Sequence, residues 1–345
     1  MKNTAIYALT PQGAYLGHHL AQQLEGHLFL PVRLSGYYES IPFERLFEIV
    51  AKNFNLYSRQ IFITALGIVV RAIAPYIISK DRDPGIIVLD QNGKYVISLL
   101  SGHLGGANKL AQDVSLLTGG QPVITTATDT AGVPAIDVLA QEKDLAILNL
   151  GEVKHINMAI LTGDPVQIFD PEWRLGTLDS LNSEFAMERV TDEDWIEERP
   201  GIWVTWKYKF PHRPNKQLVL HPRCLVAGIG CNSGTDKNEI IDFIQSTFRE
   251  HDLALKSLKC LTSIDAKNDE KGLLAAARAL EAPVSFFSRA EIEHIDVPNP
   301  SALVKKHMGV MSVCEATAIL KAKGGKLLVP KAKSRNVTLA VALVG

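Results

Sequence analysis

The sequence predicts an α/β protein: two layered α/β domains with mixed sheets, joined by a smaller middle module. Three observations carry this. Short apolar runs alternate with segments of helical spacing near both ends of the chain. Asn92-Gly93 sits between two strand-like runs, a hairpin signature, so the first sheet is mixed rather than all parallel. The stretch 141–222 differs from both flanks: it holds all four tryptophans, Trp173, Trp195, Trp203 and Trp206, and prolines interrupt it. The expected division is 1–140, 141–222 and 223–345.

Taken in order, Ala5-Ile-Tyr-Ala-Leu9 reads as a buried strand, and Leu16, Leu20 and Leu24 put one face on a helix over 13–24. Phe43, Leu46, Phe47 and Val50 mark a second helix. A strand over 60–65 and a helix over 67–78, bent or ended by Pro75, follow. Gly85-Ile-Ile-Val-Leu89 and Tyr95-Val-Ile-Ser-Leu-Leu100 form the hairpin. The loop Ser101-Gly-His-Leu-Gly-Gly106 leads into a helix over 107–117, and 122–126 returns as a strand. Beyond 223, strands are expected at 225–230, 258–261, 283–287, 326–329 and 337–344. Helices are expected at 235–251, 271–280 and 313–323.

Composition excludes several classes. Lys+Arg of 36 against Asp+Glu of 37 leaves a net charge of -1, unlike a general nucleic-acid binder. No apolar run approaches the ~18 residues of a membrane span, and the start of the chain lacks the pattern of a signal peptide. The four cysteines, Cys224, Cys231, Cys260 and Cys314, form no C-x-x-C pair, which suits a reducing, cytoplasmic compartment. Ten histidines include no H-E-x-x-H, so no protein-bound metal is expected.

Four places could carry chemistry. Ser101, Gly102, Gly105, Gly106 and Asn108 belong to a glycine-rich strand–helix turn, whose free amides suit a carboxylate or phosphate. His103 within it titrates near neutrality and can serve as acid or base. A plain structural turn explains such a loop equally well. Thr126, Thr128 and Asp129 offer hydroxyls and a carboxylate, or a helix cap. Gly228-Ile-Gly-Cys-Asn-Ser-Gly-Thr235 fails two nucleotide patterns. Ser233 stands at the third dinucleotide glycine, and no lysine separates Gly234 from Thr235. What remains is an anion loop of Gly230, Ser233, Gly234 and Thr235, with Cys231 a small packing residue rather than a nucleophile. Finally, 316–345 has no acidic residue and six basic ones, a solvated face or a dock for a small polyanion.

Together these motifs resemble one family. Arg71-Ala-Ile-Ala-Pro75, Asp83-Pro84, Ser101-Gly-His-Leu-Gly-Gly-Ala-Asn108 and Pro122-Val-Ile-Thr-Thr-Ala-Thr-Asp129, in that order, are similar to the N-terminal part of the cobalamin biosynthesis protein G (CbiG) family. The 228–235 loop, Ser263-Ile-Asp-Ala-Lys267, Glu270-Lys-Gly-Leu273, Val313-Cys-Glu-Ala316 and Pro330-Lys-Ala-Lys-Ser334 resemble its C-terminal part. Two departures stand out: Asn232-Ser233 where the family commonly has arginines, and Cys314 where a small residue is usual.

The resemblance implies a cobalt-precorrin-5A hydrolase. It opens a δ-lactone on a cobalt-bearing macrocycle and releases acetaldehyde, without a cofactor because the substrate carries the cobalt. The implied partners are that tetrapyrrole and other cobalamin biosynthesis enzymes, with no nucleic acid and no membrane. It implies no settled catalytic set. His103 is the first candidate acid or base and Glu315 the second, and Lys331 and Lys333 are expected on the substrate's carboxylate arms. A corrinoid carrier without turnover and a generic phosphate-binding protein are the alternatives.

Overall fold

A computed structural model describes residues 2–176, 187–210, 217–300 and 312–345. The chain forms two compact units, Met1–Leu139 and Ala140–Gly345.

The first unit contains β1 (Lys2–Ala8), α1 (Pro11–Gln23), β2 (His27–Pro31), β3 (Ile41–Phe43), α2 (Leu46–Asn53), β4 (Tyr57–Ile63), α3 (Leu66–Ile73), β5 (Gly85–Leu89), β6 (Tyr95–Leu100), α4 (Ala107–Thr118), β7 (Gln121–Val123) and α5 (Ala127–Ala131). Helix α6 (Ile136–Glu142) starts in it. One sheet runs β3-β2-β1-β4-β5-β6-β7. Strands β1 to β5 are parallel. Its apolar runs alternate in destination. Ile6, Ala8, Ile61, Ile63, Ile87 and Leu89 meet α1 and α4, while Tyr7, Phe62, Ile86 and Val88 meet α2 and α3 on the other face. Burial on both faces is why these strands read as continuous apolar runs. Each large aliphatic side chain so buried contributes about 1.5–3 kcal/mol.

The hairpin forms as expected. Gly93 takes φ 69°, and the Asp90 carboxylate accepts the N–H groups of Asn92 and Tyr95. Strand β6 therefore runs antiparallel to β5, and β7 follows β6 in parallel. This reversal decides where the glycine loop lies. Ile86 pairs with Leu100, so the loop after β6 starts beside Gly85, at the sheet edge opposite the carboxyl ends of β1 to β5.

Three expectations shift. Phe43 ends a strand instead of opening α2. Helix α3 gives way at Ala74 to a 3-10 turn, because Pro75 lacks an N–H. The strand expected over 122–126 is only Gln121–Val123, and Thr126 instead stands at the start of α5.

The second unit holds two five-stranded sheets. The first is β10-β9-β11-β12-β8, from β8 (Leu145–Ile147), β9 (Val166–Phe169), β10 (Met187–Arg189), β11 (Gly201–Val204) and β12 (Gln217–Pro222). Helix α7 (Val153–Thr162) precedes β9. Trp203 stacks on Phe169 with ring centroids 4.0 Å apart, and Trp195 meets Trp203 edge-on, so two of the tryptophans are core.

The second sheet is β15-β14-β13-β17-β16. Its elements are β13 (Leu225–Cys231), α8 (Lys237–Glu250), β14 (Leu258–Ile264), α9 (Lys271–Ala279), β15 (Val284–Phe287), α10 (Arg289–Ile292), α11 (Val313–Lys321), β16 (Leu327–Lys333) and β17 (Val337–Leu343). Strands β13 to β15 are parallel, and β17 and β16 complete the sheet antiparallel. Gly228 explains itself here. A Cβ on it would lie 1.9 Å from the Cys314 carbonyl oxygen, so this glycine admits helix α11 to the sheet.

Candidate active site

The loop between β6 and α4 folds back on itself. The Gly106 N–H donates to the His103 carbonyl at 2.8 Å, Ala107 to Ser101 at 3.2 Å and Asn108 to Gly102 at 2.9 Å. The Gly106 amide is thus used inside the loop. Of the Gly105 and Gly106 amides, only that of Gly105 makes no hydrogen bond among the described residues. Ser101 takes φ 55°, unusual without glycine, and its buried Oγ has no partner among the described residues.

The turn aims His103 at two carboxylates. Its Nε2 lies 3.0 Å from Asp129 Oδ2, and its Nδ1 lies 3.2 Å from Asp137 Oδ2. Thr128 Oγ1 is 3.2 Å from the same Nε2. The Asp137 side chain is 4% exposed and that of Asp129 27%. Asn108, buried in the first turn of α4, fixes Asp129 from the other side. The Asp129 carboxylate can only accept, so the Asn108 amide nitrogen points to it and to Thr126 Oγ1, each at 2.9 Å, and Asn108 Oδ1 accepts the Ser98 hydroxyl at 2.7 Å. The result is one connected polar network, Ser98–Asn108–Asp129–His103–Asp137. The Asp137 hydrogen bond raises the His103 pKa, burial opposes it, and Asp129 raises it further. The carboxylates sit on opposite edges of the ring, so the trio has no common centre for a metal ion.

The second glycine loop, between β13 and α8, already holds a carboxylate of its own chain. The Gly234 N–H donates to Glu270 Oε1 at 2.9 Å. Lys267 Nζ reaches Ser233 Oγ at 3.0 Å and Glu270 Oε2 at 3.4 Å. The Thr235 hydroxyl donates to Asn232 O, and Gly230 O accepts the Thr338 hydroxyl. Cys231 is half-buried, and burial pushes its thiol pKa up, as expected of a packing residue.

Glu315 is fully buried in the first turn of α11. Its oxygens accept from Asn299 N and Nδ2 at 3.2 and 2.9 Å and from Lys331 N at 3.0 Å. It ties a loop and strand β16 to the helix. Lys333 is exposed on β16 and Lys331 half-buried.

Three family models divide most of the chain between them. Those described as cobalamin synthesis G N-terminal, cobalamin biosynthesis central region and cobalamin synthesis G C-terminus match residues 48–129, 134–222 and 225–342. The chain belongs to the cobalamin biosynthesis protein G family. A cobalt-precorrin-5A hydrolase of Salmonella typhimurium is 31% identical, over 99% of this chain and 97% of its own. One of Priestia megaterium is also 31% identical, over 84% of this chain and 80% of its own. The protein CobE of Sinorhizobium is 32% identical over 34% of this chain and 79% of its own length.

In this member of the family the structure brings together His103 and Asn108 from one motif with Thr126, Thr128 and Asp129 from another, and adds Ser98 and Asp137, which the sequence did not single out. Lys267 and Glu270, quoted only as motif letters, are the charged groups of the second loop. Asn232 bonds Asn336 through its backbone and side chain. A cavity of about 630 Å³ opens at the carboxyl ends of β9 and β10, walled by Phe169, the exposed Trp173 and Arg189. Asp170, Glu188, Asp192 and Asp194 outnumber Arg189 and Arg199 in its wall, which does not suit a polyanionic ligand.

Proposed function

We propose that this chain is a cobalt-precorrin-5A hydrolase whose lactone-opening site is the His103 network. One observation carries the activity: a near full-length likeness to a hydrolase of that name, spanning 99% of this chain. The network supplies what the reaction asks for. Water must lose a proton as its oxygen bonds to the lactone carbonyl carbon, and a donor must meet the oxygen that becomes negative. The lactone C–O bond then breaks, the alkoxide collapses to acetaldehyde, and the broken C–C bond leaves its electron pair on the macrocycle. One water enters and one acetaldehyde leaves. His103 and Asp129 are the groups that handle protons, and the Gly105 amide, in the same loop as His103, is the proposed backbone donor to the oxyanion.

The carboxylate arms of the substrate need cations. Lys331, Lys333 and Lys267 of the second unit are the proposed contacts, with the second glycine loop receiving an arm if Glu270 yields the Gly234 amide. Incubating the chain anaerobically with cobalt-precorrin-5A tests the activity: acetaldehyde accumulates in step with substrate loss. A second reading, binding without turnover, is favoured by the likeness of one third of the chain to CobE. Bound substrate with no acetaldehyde would select it.

A further inference from the structure

The proton count of the His103 network cannot be completed with a neutral imidazole between two ionised carboxylates. Such a ring has one N–H and one lone pair. Here each ring nitrogen faces a carboxylate oxygen, at 3.0 Å for Nε2 and 3.2 Å for Nδ1. Whichever nitrogen keeps its lone pair would press it against a carboxylate. A Thr128 hydroxyl could donate to Nε2, but Asp129 Oδ2 would still stand at 3.0 Å from that lone pair. Asn108 does not relieve the clash by moving Asp129. Its amide donates to the same Oδ2 at 2.9 Å, while its Oδ1 accepts the Ser98 hydroxyl.

We propose that Asp137 is a positioning residue: with Asp129 it holds His103 as a doubly protonated imidazolium, so that the proton acceptor of the site is Asp129 and not His103. His103 is then the acid of the site, a positive charge and proton donor.

The charged groups that face the ring agree with this. Asp137 comes from the first turn of α6 and Asp129 from α5, while α4 contributes the uncharged Asn108 and α5 the uncharged Thr128. Both bonds received by Asp129 land on Oδ2. Its other oxygen takes none among the described residues, and the side chain is 27% exposed. That leaves Oδ1 to accept a proton from water. Asp137, at 4% exposure, is too enclosed to meet a macrocycle, so its influence on the substrate passes through the ring. The direction of the His103 pKa, raised chiefly by Asp137, is what this arrangement requires.

The catalytic part rests on the hydrolase reading, but the protonation part does not, and the test separates them. Histidine rings in the full chain, isotope-labelled, are followed by NMR against pH, with His103 assigned as the signal lost in His103→Gln. The expected result is a ring protonated on both nitrogens at neutral pH, with a midpoint above the 6.5 of a free imidazole. Asp137→Asn should lower that midpoint, and Asp137→Glu should restore part of it. A wild-type ring that titrates near or below the free value overturns the proposal, and this needs no variant to fold. So does a midpoint indifferent to Asp137→Asn and to Asp129→Asn alike. In turnover, Asp137→Asn should shift the alkaline limb of the kcat profile downward with little change in KM. Absence of turnover in the wild type would count against the hydrolase reading and leave the titration result standing.

Discussion

Gly85 and Gly105 touch through their backbones: a Cβ on Gly85 would lie 2.2 Å from the Gly105 carbonyl oxygen, and one on Gly105 3.0 Å from the Gly85 nitrogen. The first residue of β5 is thus the surface against which the His103 loop is laid. Gly85→Ala should cost about 1–3 kcal/mol, as overpacking in a closed site does. It should also lower turnover by displacing the loop. Thermal unfolding and kcat measured together check this. A variant as stable and as active as the parent would mean that the contact does not hold the loop.

Glu315 is expected to be structural. Glu315→Ala removes a buried carboxylate that accepts three N–H groups, two from the exposed Asn299 and one from the half-buried Lys331. Each such hydrogen bond contributes about 0.5–1.5 kcal/mol net, since these donors can turn to water. Glu315→Gln keeps the shape and one acceptor and should be milder. In both, kcat of the folded fraction should hold. A large loss of kcat in Glu315→Gln with stability intact would restore it as a proton carrier.

Stability should depend on pH through His103. Its folded-state pKa is raised, with the Asp137 bond the largest cause, above the 6.5 of an exposed imidazole. A group of that kind contributes its full stabilisation below its unfolded value and loses it as pH rises through the folded value. The melting temperature should therefore fall from mildly acid toward alkaline pH, and His103→Gln should remove that part of the slope. Equal slopes in parent and variant would contradict the assignment.

Lys331 and Lys333 should anchor carboxylate arms. Replacing both with alanine should weaken substrate binding and flatten its dependence on salt, since fewer exposed ion pairs remain to be screened. Titrations across a salt series would return the pair to an idle solvated face if affinity and slope do not change.

Much of this was legible in the residues, for physical reasons. Gly85-Ile-Ile-Val-Leu89 announces a strand covered on both faces, and Asn92-Gly93 announces the turn that sends β6 back. The loop around His103 stood out because small residues gather only where backbone or ligand comes close. Asp137 did not, since it is 34 residues from His103 in an ordinary helix start, and periodicity reports burial, not tertiary partners. The same limit hid Glu270, which sits 36 residues beyond the Gly234 amide it receives. Gly228 looked like part of a ligand loop, whereas its constraint is the approach of Cys314 on another element. The middle sheet gave no clear pattern, because four of its five strands have only three or four residues.

Lactone opening at His103 is tested by a comparison of turnover and binding. Acetaldehyde release from saturating cobalt-precorrin-5A is compared between the parent chain and His103→Gln, with substrate binding measured in parallel. In His103→Gln, binding should stay within a few-fold and the rate should fall by roughly 10²–10⁴, the usual worth of a general acid–base group. Near-parental release by His103→Gln would contradict it and leave the loop a binding element.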